Sequence, residues 1–140
     1  MPETEGFAPK SVEDQAEFNS AFAFLERINK IEYLIEEHLM KWDLVDCFYV
    51  LESYENELFF SFKEADKEKV KGLKNEIVKI LNENPGIGKT AKNPIGQQYI
   101  IGGSQLGKLR NLLILLNKTL RGIKHKSGMG MPTKGAGKLF

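Results

Sequence analysis

The sequence predicts an all-α fold, and three features of the chain support this class. Four segments repeat apolar residues every three or four positions, which is the spacing of a helix that buries one face. Breaks such as Asn84-Pro85-Gly86 and Ser127-Gly128 follow two of these segments, where helices are expected to end. The length of 140 residues, with 41% hydrophobic residues, suits one domain with a real core. We therefore expect an elongated four-helix bundle.

The first helix is expected over about 12–40. Ser11 with Asp14 three residues later resembles a capping box in which Asp replaces Glu. Its apolar stripe has a mean spacing of 3.5 residues and consists of Phe18, Phe22, Leu25, Ile28, Ile31, Ile35 and Leu39. At 1.5 Å per residue this helix is roughly 43 Å long, and such a length in a small domain predicts an elongated shape.

The second helix is expected over about 44–61, after a corner at "KWDLVD". Asp43 is the predicted N-cap, with Asp46 at the third position and Trp42 packing back as a hydrophobic staple. The buried face is predicted to consist of Leu44, Phe48, Leu51, Leu58 and Phe62, widened by Tyr54 and Phe59.

The third helix is expected over about 65–83, and "SFKEADKEK" offers two starts, at Ser61 with Glu64 or at Asp66. Its apolar stripe is Val70, Leu73, Ile77, Ile80 and Leu81.

The fourth helix, about 105–125, has the most regular pattern. Ser104 is its predicted N-cap, and its seam is Leu106, Leu109, Leu113, Leu116, Leu120 and Ile123. Leu112, Ile114 and Leu115 extend the apolar surface beyond this seam, so the helix is expected to be central or covered by a partner.

Residues 84–90, "NPGIGKT", end like a nucleotide-binding P-loop, but the context argues against that function. The P-loop pattern requires a glycine five positions before Gly88, where this chain has Glu83. A helix precedes the segment where a buried strand is required, and Pro94 follows where a helix should begin. We interpret the match as false and expect neither a bound nucleotide nor another cofactor.

The long glycine-containing connection before the last helix allows two interpretations. Ile87–Thr90 could pair with Gln98–Ile101 as a short hairpin across "AKNPIG", with Tyr99 and Ile101 on one face. The alternative is an ordered irregular loop.

The charges are divided unequally along the chain. All nineteen acidic residues lie between Glu3 and Glu83, and ten of the twenty basic residues lie on each side of residue 83. Residues 1–83 therefore carry a net charge of −9, and residues 84–140 carry +10. Such a separation of charge indicates electrostatic pairing, either within the molecule or with a partner.

Three interpretations of the basic half remain open: pairing with the chain's own acidic helices, assembly with an acidic protein surface, and non-specific contact with nucleic acid phosphates. The candidate contact residues are Lys89, Lys92, Arg110, Lys118, Arg121, Lys124, Lys126, Lys134 and Lys138. Assembly is the preferred interpretation, because a basic arm with an apolar end suits ordering on a neighbouring surface. Against nucleic acid, this arm lacks interleaved aromatic residues.

Other residue types give no pattern of an active site or a metal site. His38 and His125 have no Cys or His three or four residues away, and Cys47 sits among acidic and aromatic residues. The glutamates are expected to lie on solvent-exposed faces of the helices. We expect no enzymatic activity, no metal and no small-molecule substrate. With no signal peptide pattern and no apolar run of membrane-spanning length, the expected location is the cytoplasm, or a virion.

The stretch "ERINKIEYLIEEHLMKWDLVDCFYVLESYENELF", followed by a leucine-rich helix and "GMGMPTK", resembles small all-helical proteins encoded by tailed bacteriophages. Those proteins are mostly of unassigned function, and some are encoded near virion structural genes. The resemblance implies a role in a virion or its assembly and transfers no functional residue. The expected organisation is a flexible N-terminus at 1–10, a helical bundle over 11–126 and a flexible, glycine-rich basic tail at 127–140.

Overall fold

The structure, a computed structural model, describes the backbone of residues 12–127 and the side chains of residues 19–127. It contains four helices and a small two-stranded sheet, which confirms the helical class. The helices are α1 (Val12–Lys41), α2 (Leu44–Leu58), α3 (Glu64–Glu83) and α4 (Gly103–Ser127), and the strands are β1 (Thr90–Lys92) and β2 (Gln98–Ile100). Ser11, the segment 1–10 and residues 128–140 lie outside the described residues.

Helices α2 and α4 form the centre of the molecule, with α1 packed on α2 and α3 packed on α4. The core between them consists mainly of the predicted leucines and isoleucines, including Leu51 of α2 and Leu113 of α4, both fully buried. The central position of α4 explains its broad apolar surface: Leu112 and Ile114 pack against the core, whereas Leu115 remains 43% exposed.

The corner between α1 and α2 is closed by backbone hydrogen bonds. The amide of Asp43 donates to the carbonyl of His38 at 2.9 Å, and that of Trp42 donates to Leu39 at 3.3 Å, as in a Schellman motif. Trp42 has a φ of +63°, a position that glycine usually takes. The Arg110 guanidinium lies 4.7 Å from the centre of the Trp42 ring, and its Nε donates to the Leu39 carbonyl at 3.2 Å. A residue of α4 thus holds the corner together.

One predicted helix cap and two predicted helix boundaries differ from the structure. Asp43 precedes α2 but makes no capping hydrogen bond through its side chain. Helix α2 ends at Leu58, and a 3₁₀ turn at Phe59–Ser61 follows, so Phe62 lies outside the helix. Helix α3 begins at Glu64, between the two predicted starts.

At the start of α3, the Asp66 carboxylate accepts a hydrogen bond from the Lys63 amide at 3.0 Å. Asp66 therefore occupies the third helical position, where a carboxylate satisfies a free backbone N–H group.

The connection before α4 forms the hairpin rather than the irregular loop. Thr90 is opposite Ile100, a register shifted by two residues from the pairing of the predicted ends. The turn Asn93–Gly96 closes through the Gly96 amide donating to the Asn93 carbonyl at 2.9 Å, and Gly96 has a φ of +88°. This is the usual geometry of a three-residue hairpin loop with a glycine bulge.

The base of the hairpin is fixed by a close contact between two loops. Ile87 is 1% exposed and belongs to the core, which the sequence pattern did not indicate. A Cβ on Gly102, whose φ is +145°, would lie 2.8 Å from Cγ1 of Ile87. Helix α4 begins directly after this contact, at Gly103, so Ser104 is its second residue and not its N-cap.

Candidate interaction surface

The structure places the candidate contact residues in two regions. Lys89 and Lys92 lie at the hairpin, and five more candidates lie on α4: Arg110, Lys118, Arg121, Lys124 and Lys126. Lys134 and Lys138 lie outside the described residues.

Three of the α4 cations form ion pairs with the acidic half of the same chain. Arg121 lies 3.2 Å from Glu36, and Lys124 lies 2.6 Å from Glu32, both on α1. Lys126 lies 3.4 Å from Asp66 at the start of α3. The internal interpretation of the charge separation therefore applies to these three positions.

The Lys124 pair belongs to a largely buried cluster that joins α1, α2 and α4. The Tyr54 hydroxyl donates to Glu32 at 2.5 Å, and the Lys124 ammonium donates to the same carboxylate oxygen at 2.6 Å. Tyr54 is fully buried, and the side chains of Lys124 and Glu32 are 13% and 14% exposed. Each polar group in this cluster has a partner, which is the condition for placing charges in a core.

The cluster changes the acidity of two of its members. Burial raises the pKa of Glu32, but the hydrogen bonds from Lys124 and Tyr54 outweigh it, so this pKa lies below its ordinary value. Burial, and then the hydrogen bond to the Glu32 carboxylate, raises the pKa of Tyr54 above its ordinary value. Both shifts stabilise the state with an ionised glutamate and a neutral tyrosine.

A second polar group lies along the same side of α4. The Asn117 amide donates to Glu36 at 3.3 Å, and the Arg121 Nε donates to the Asn117 carbonyl oxygen at 3.3 Å. Asn117 is buried, although in the sequence it is a polar residue that interrupts the run of leucines on α4. Sequence reasoning missed this residue, because only its place beside the leucine seam could have singled it out.

The remaining cations of the basic half differ from these three. Within residues 19–127, no carboxylate lies within ion-pair distance of Lys89, Lys92 or Lys118, and the same is true of Lys108, which the sequence did not single out. All four side chains are exposed. Among the described residues of the basic half, these four lysines are therefore available for contact with another molecule.

The outer side of α1 exposes large apolar residues. Phe22, Tyr33 and Met40 are 56%, 65% and 74% exposed. Phe22 was assigned to the buried stripe from its spacing, and that assignment is wrong because Phe22 lies on the same outer side of α1 as Tyr33 and Met40. Phe24 packs against the core instead, with its ring 6.2 Å from that of Phe60.

A groove of about 430 Å³ lies between α1 and α4, beside Met40. It combines charged and apolar walls: Glu36, Leu39, Met40, Arg110, Ile114, Asn117, Lys118 and Arg121 line it. The unpaired Lys118 and the exposed Met40 thus share one surface depression.

The glycine loop packs against the start of α2. A Cβ on Gly88 would lie 3.3 Å from Cβ of Leu44, and a cavity of about 380 Å³ beside Lys89 is lined by Asp43 and Asp46. Two carboxylates facing the loop disfavour a phosphate group there, because like charges repel.

The remaining candidates for chemistry lie in the core or at the corner. Burial raises the pKa of the Cys47 thiol to about 12, which makes it a poor nucleophile. His38 Nδ1 lies 3.5 Å from the Asp43 carboxylate. Among the described side chains, no three His, Cys, Asp or Glu residues are grouped so that they could hold a metal ion. None of the helices in residues 12–127 is long and apolar enough to span a membrane.

Comparison of the chain with protein-family models, with curated protein sequences and with solved structures found no match.

Proposed function

We propose that this protein is a non-enzymatic interaction and assembly module, an elongated four-helix bundle that uses its basic C-terminal half against acidic protein surfaces. The observation that carries the proposal is a set of four exposed lysines, in a half of the chain that contains no acid, that have no acidic partner among residues 19–127: Lys89, Lys92, Lys108 and Lys118. The resemblance to phage proteins adds the proposal of a role in a virion or its assembly.

The difference between paired and unpaired cations on α4 supports this function. Arg121, Lys124 and Lys126 stabilise the fold through pairs with the acidic helices. Lys108 and Lys118 make no such pair, so their charges are available for complementary contacts, which steer association and set specificity.

Two measurements on the full chain test the proposal. Light scattering over a range of protein concentrations, at low and high salt, reports whether particles heavier than the 15.9 kDa monomer form. Binding to immobilised polyglutamate reports whether the basic half recognises an acidic polypeptide. We expect salt-sensitive association in one or both assays and its loss in the Lys108→Glu/Lys118→Glu variant. The control, Lys71→Glu/Lys79→Glu, places the same charge change on exposed positions of α3. If the protein stays monomeric and does not bind polyglutamate, the proposal is wrong.

The second candidate is a nucleic-acid-binding accessory protein, and the hairpin favours it. Lys89 and Lys92 lie on either side of Ala91, the residue that pairs with Tyr99 in the hairpin. The Tyr99 side chain is half-exposed and offers a ring for base stacking. Titration with duplex and single-stranded DNA at two salt concentrations tests it, since each neutralised phosphate changes the slope of log K against log salt by about −0.9 for duplex DNA. Salt-insensitive binding, or binding unchanged in Lys89→Glu/Lys92→Glu, contradicts this function.

A further inference from the structure

Helix α1 carries a second, exposed seam, which reaches the groove beside α4 at Glu36 and Met40. Its positions step by 4, 3, 4, 3 and 4 residues, and all six are exposed: Phe22, Glu26, Asn29, Tyr33, Glu36 and Met40. Alternating steps of three and four residues are the spacing of positions through which one helix packs along another. Three large apolar side chains on such an exposed line are typical of a docking surface. We call these six residues the α1 outer seam.

The charges of the α1 outer seam restrict what can cover it. Glu26 and Glu36 lie on the seam. Glu36 already pairs with Arg121 of α4, whereas no cation among residues 19–127 lies within ion-pair distance of Glu26. A second α1 outer seam contains no Lys or Arg, so two such seams packed together would leave Glu26 without a cation. The occupant therefore has to supply cations as well as apolar groups.

Helix α4 of the same protein offers such a surface. Its outward positions step by 3, 4, 3, 4 and 3 residues: Lys108, Asn111, Leu115, Lys118, Gly122 and His125. We call these six residues the α4 outer seam. It is exposed except at Gly122, which is half-buried, and it combines the unpaired Lys108 and Lys118 with the partly exposed Leu115. The two seams have opposite charge and matching steps.

We propose that a second copy of this chain covers the α1 outer seam with its α4 outer seam. This inference rests on the proposed function and names its partner. Glu36 and Met40 of one seam and Lys118 of the other line the same groove between α1 and α4. A two-fold axis over that groove therefore forms the contact twice, because each copy presents both seams to the other.

The first test removes apolar groups from the α1 outer seam. Tyr33→Ser/Met40→Ser is compared with the control Tyr99→Ser/Ile95→Ser, which removes one exposed tyrosine and one exposed apolar side chain from the hairpin. Sedimentation velocity on the full chain measures the dimer dissociation constant. We expect an increase of about tenfold or more for the α1 variant and little change for the control. The opposite order overturns the inference.

The second test exchanges charges between copies. Lys108→Glu/Lys118→Glu and Glu26→Lys each place like charges across both contacts of a homodimer, so each variant alone is expected to dimerise weakly. Mixed together, they form a heterodimer in which both contacts join opposite charges. Recovery of the dimer mass only in the mixture supports the two-fold arrangement, and no recovery overturns it. Circular dichroism shows that each variant remains helical.

The two tests separate this inference from the proposed function. If the wild type associates and the α1 variant associates equally well, the seam pairing is wrong and the proposed function still holds. The same conclusion applies if the wild type is a monomer that still binds polyglutamate. A monomer that also fails to bind polyglutamate overturns both.

Discussion

Replacing Lys124 by methionine tests how much the buried contact among α1, α2 and α4 contributes to stability. The ammonium lies 2.6 Å from the Glu32 carboxylate, and both side chains are largely buried. Removing one partner of a buried ion pair costs ~3–5 kcal/mol, because the other charge stays desolvated. Here Tyr54 still donates to Glu32, and both groups keep some exposure, so we expect a loss of about 2–3 kcal/mol.

Urea unfolding and thermal unfolding followed by circular dichroism measure this loss. For a chain of this size, ~3 °C of Tm corresponds to 1 kcal/mol, so Tm is expected to fall by about 6–9 °C. Lys41→Met is the matched control, since Lys41 pairs with Glu37 on the surface of α1, and such a pair contributes less than ~1 kcal/mol. Equal losses in the two variants refute the reasoning.

A double-mutant cycle isolates the pair itself. Glu32→Gln and Lys124→Met combined should cost less than the sum of the single changes, with a coupling of about 1–3 kcal/mol. Strict additivity would show that the two groups do not interact in solution.

The same cluster predicts an acid-sensitive contribution to stability. The pKa of Glu32 lies below its ordinary value of 4.5, so the unfolded state binds more protons than the folded state in this range. The stabilisation is present above pH 4.5 and is lost as the pH falls through the lower folded pKa. Unfolding free energies measured from neutral pH into the acid range should therefore decline more steeply in the wild type than in Glu32→Gln, and parallel curves contradict the assignment.

Three further outcomes concern the core and the hairpin base. Gly102→Ala should destabilise the fold by about 1–3 kcal/mol, because its Cβ would contact Ile87 and its φ is unfavourable for alanine. The control Gly107→Ala has open space around the new Cβ and should be neutral or stabilising. Equal effects of the two changes in urea unfolding would count against the close contact. The Cys47 thiol should react with a thiol reagent only at the rate of unfolding, and rapid labelling of the native protein would contradict its burial. Stability should fall as the pH rises above 10, and less so in Tyr54→Phe, because the folded state retains the Tyr54 proton that the unfolded state loses; indistinguishable alkaline unfolding curves would contradict this.

The helical class follows from local information, and the sequence could supply it. The spacing of apolar residues defines a buried face within each helix, so Leu109 and Leu113 were correctly placed in the core. Helix ends were harder to predict, because several residues near an end can satisfy the same free backbone groups. Asp66 received the capping contact from Lys63, and the predicted capping bond of Asp43 did not form.

Which surfaces are free was decided by the tertiary structure. The separation of charge between the two halves is written in the sequence, but whether a given cation has a partner depends on the element that packs beside it. Lys118 and Lys124 lie on the same helix, six residues apart. Of the two, only Lys124 forms an ion pair with a glutamate among the described residues, because its side chain reaches Glu32 of α1. Phe22 was placed in the buried stripe by steps of three and four residues, yet at 3.6 residues per turn it falls on the same outer side of α1 as Tyr33 and Met40, and it is exposed. Periodicity reports which residues share a face, and only packing determines whether anything covers that face.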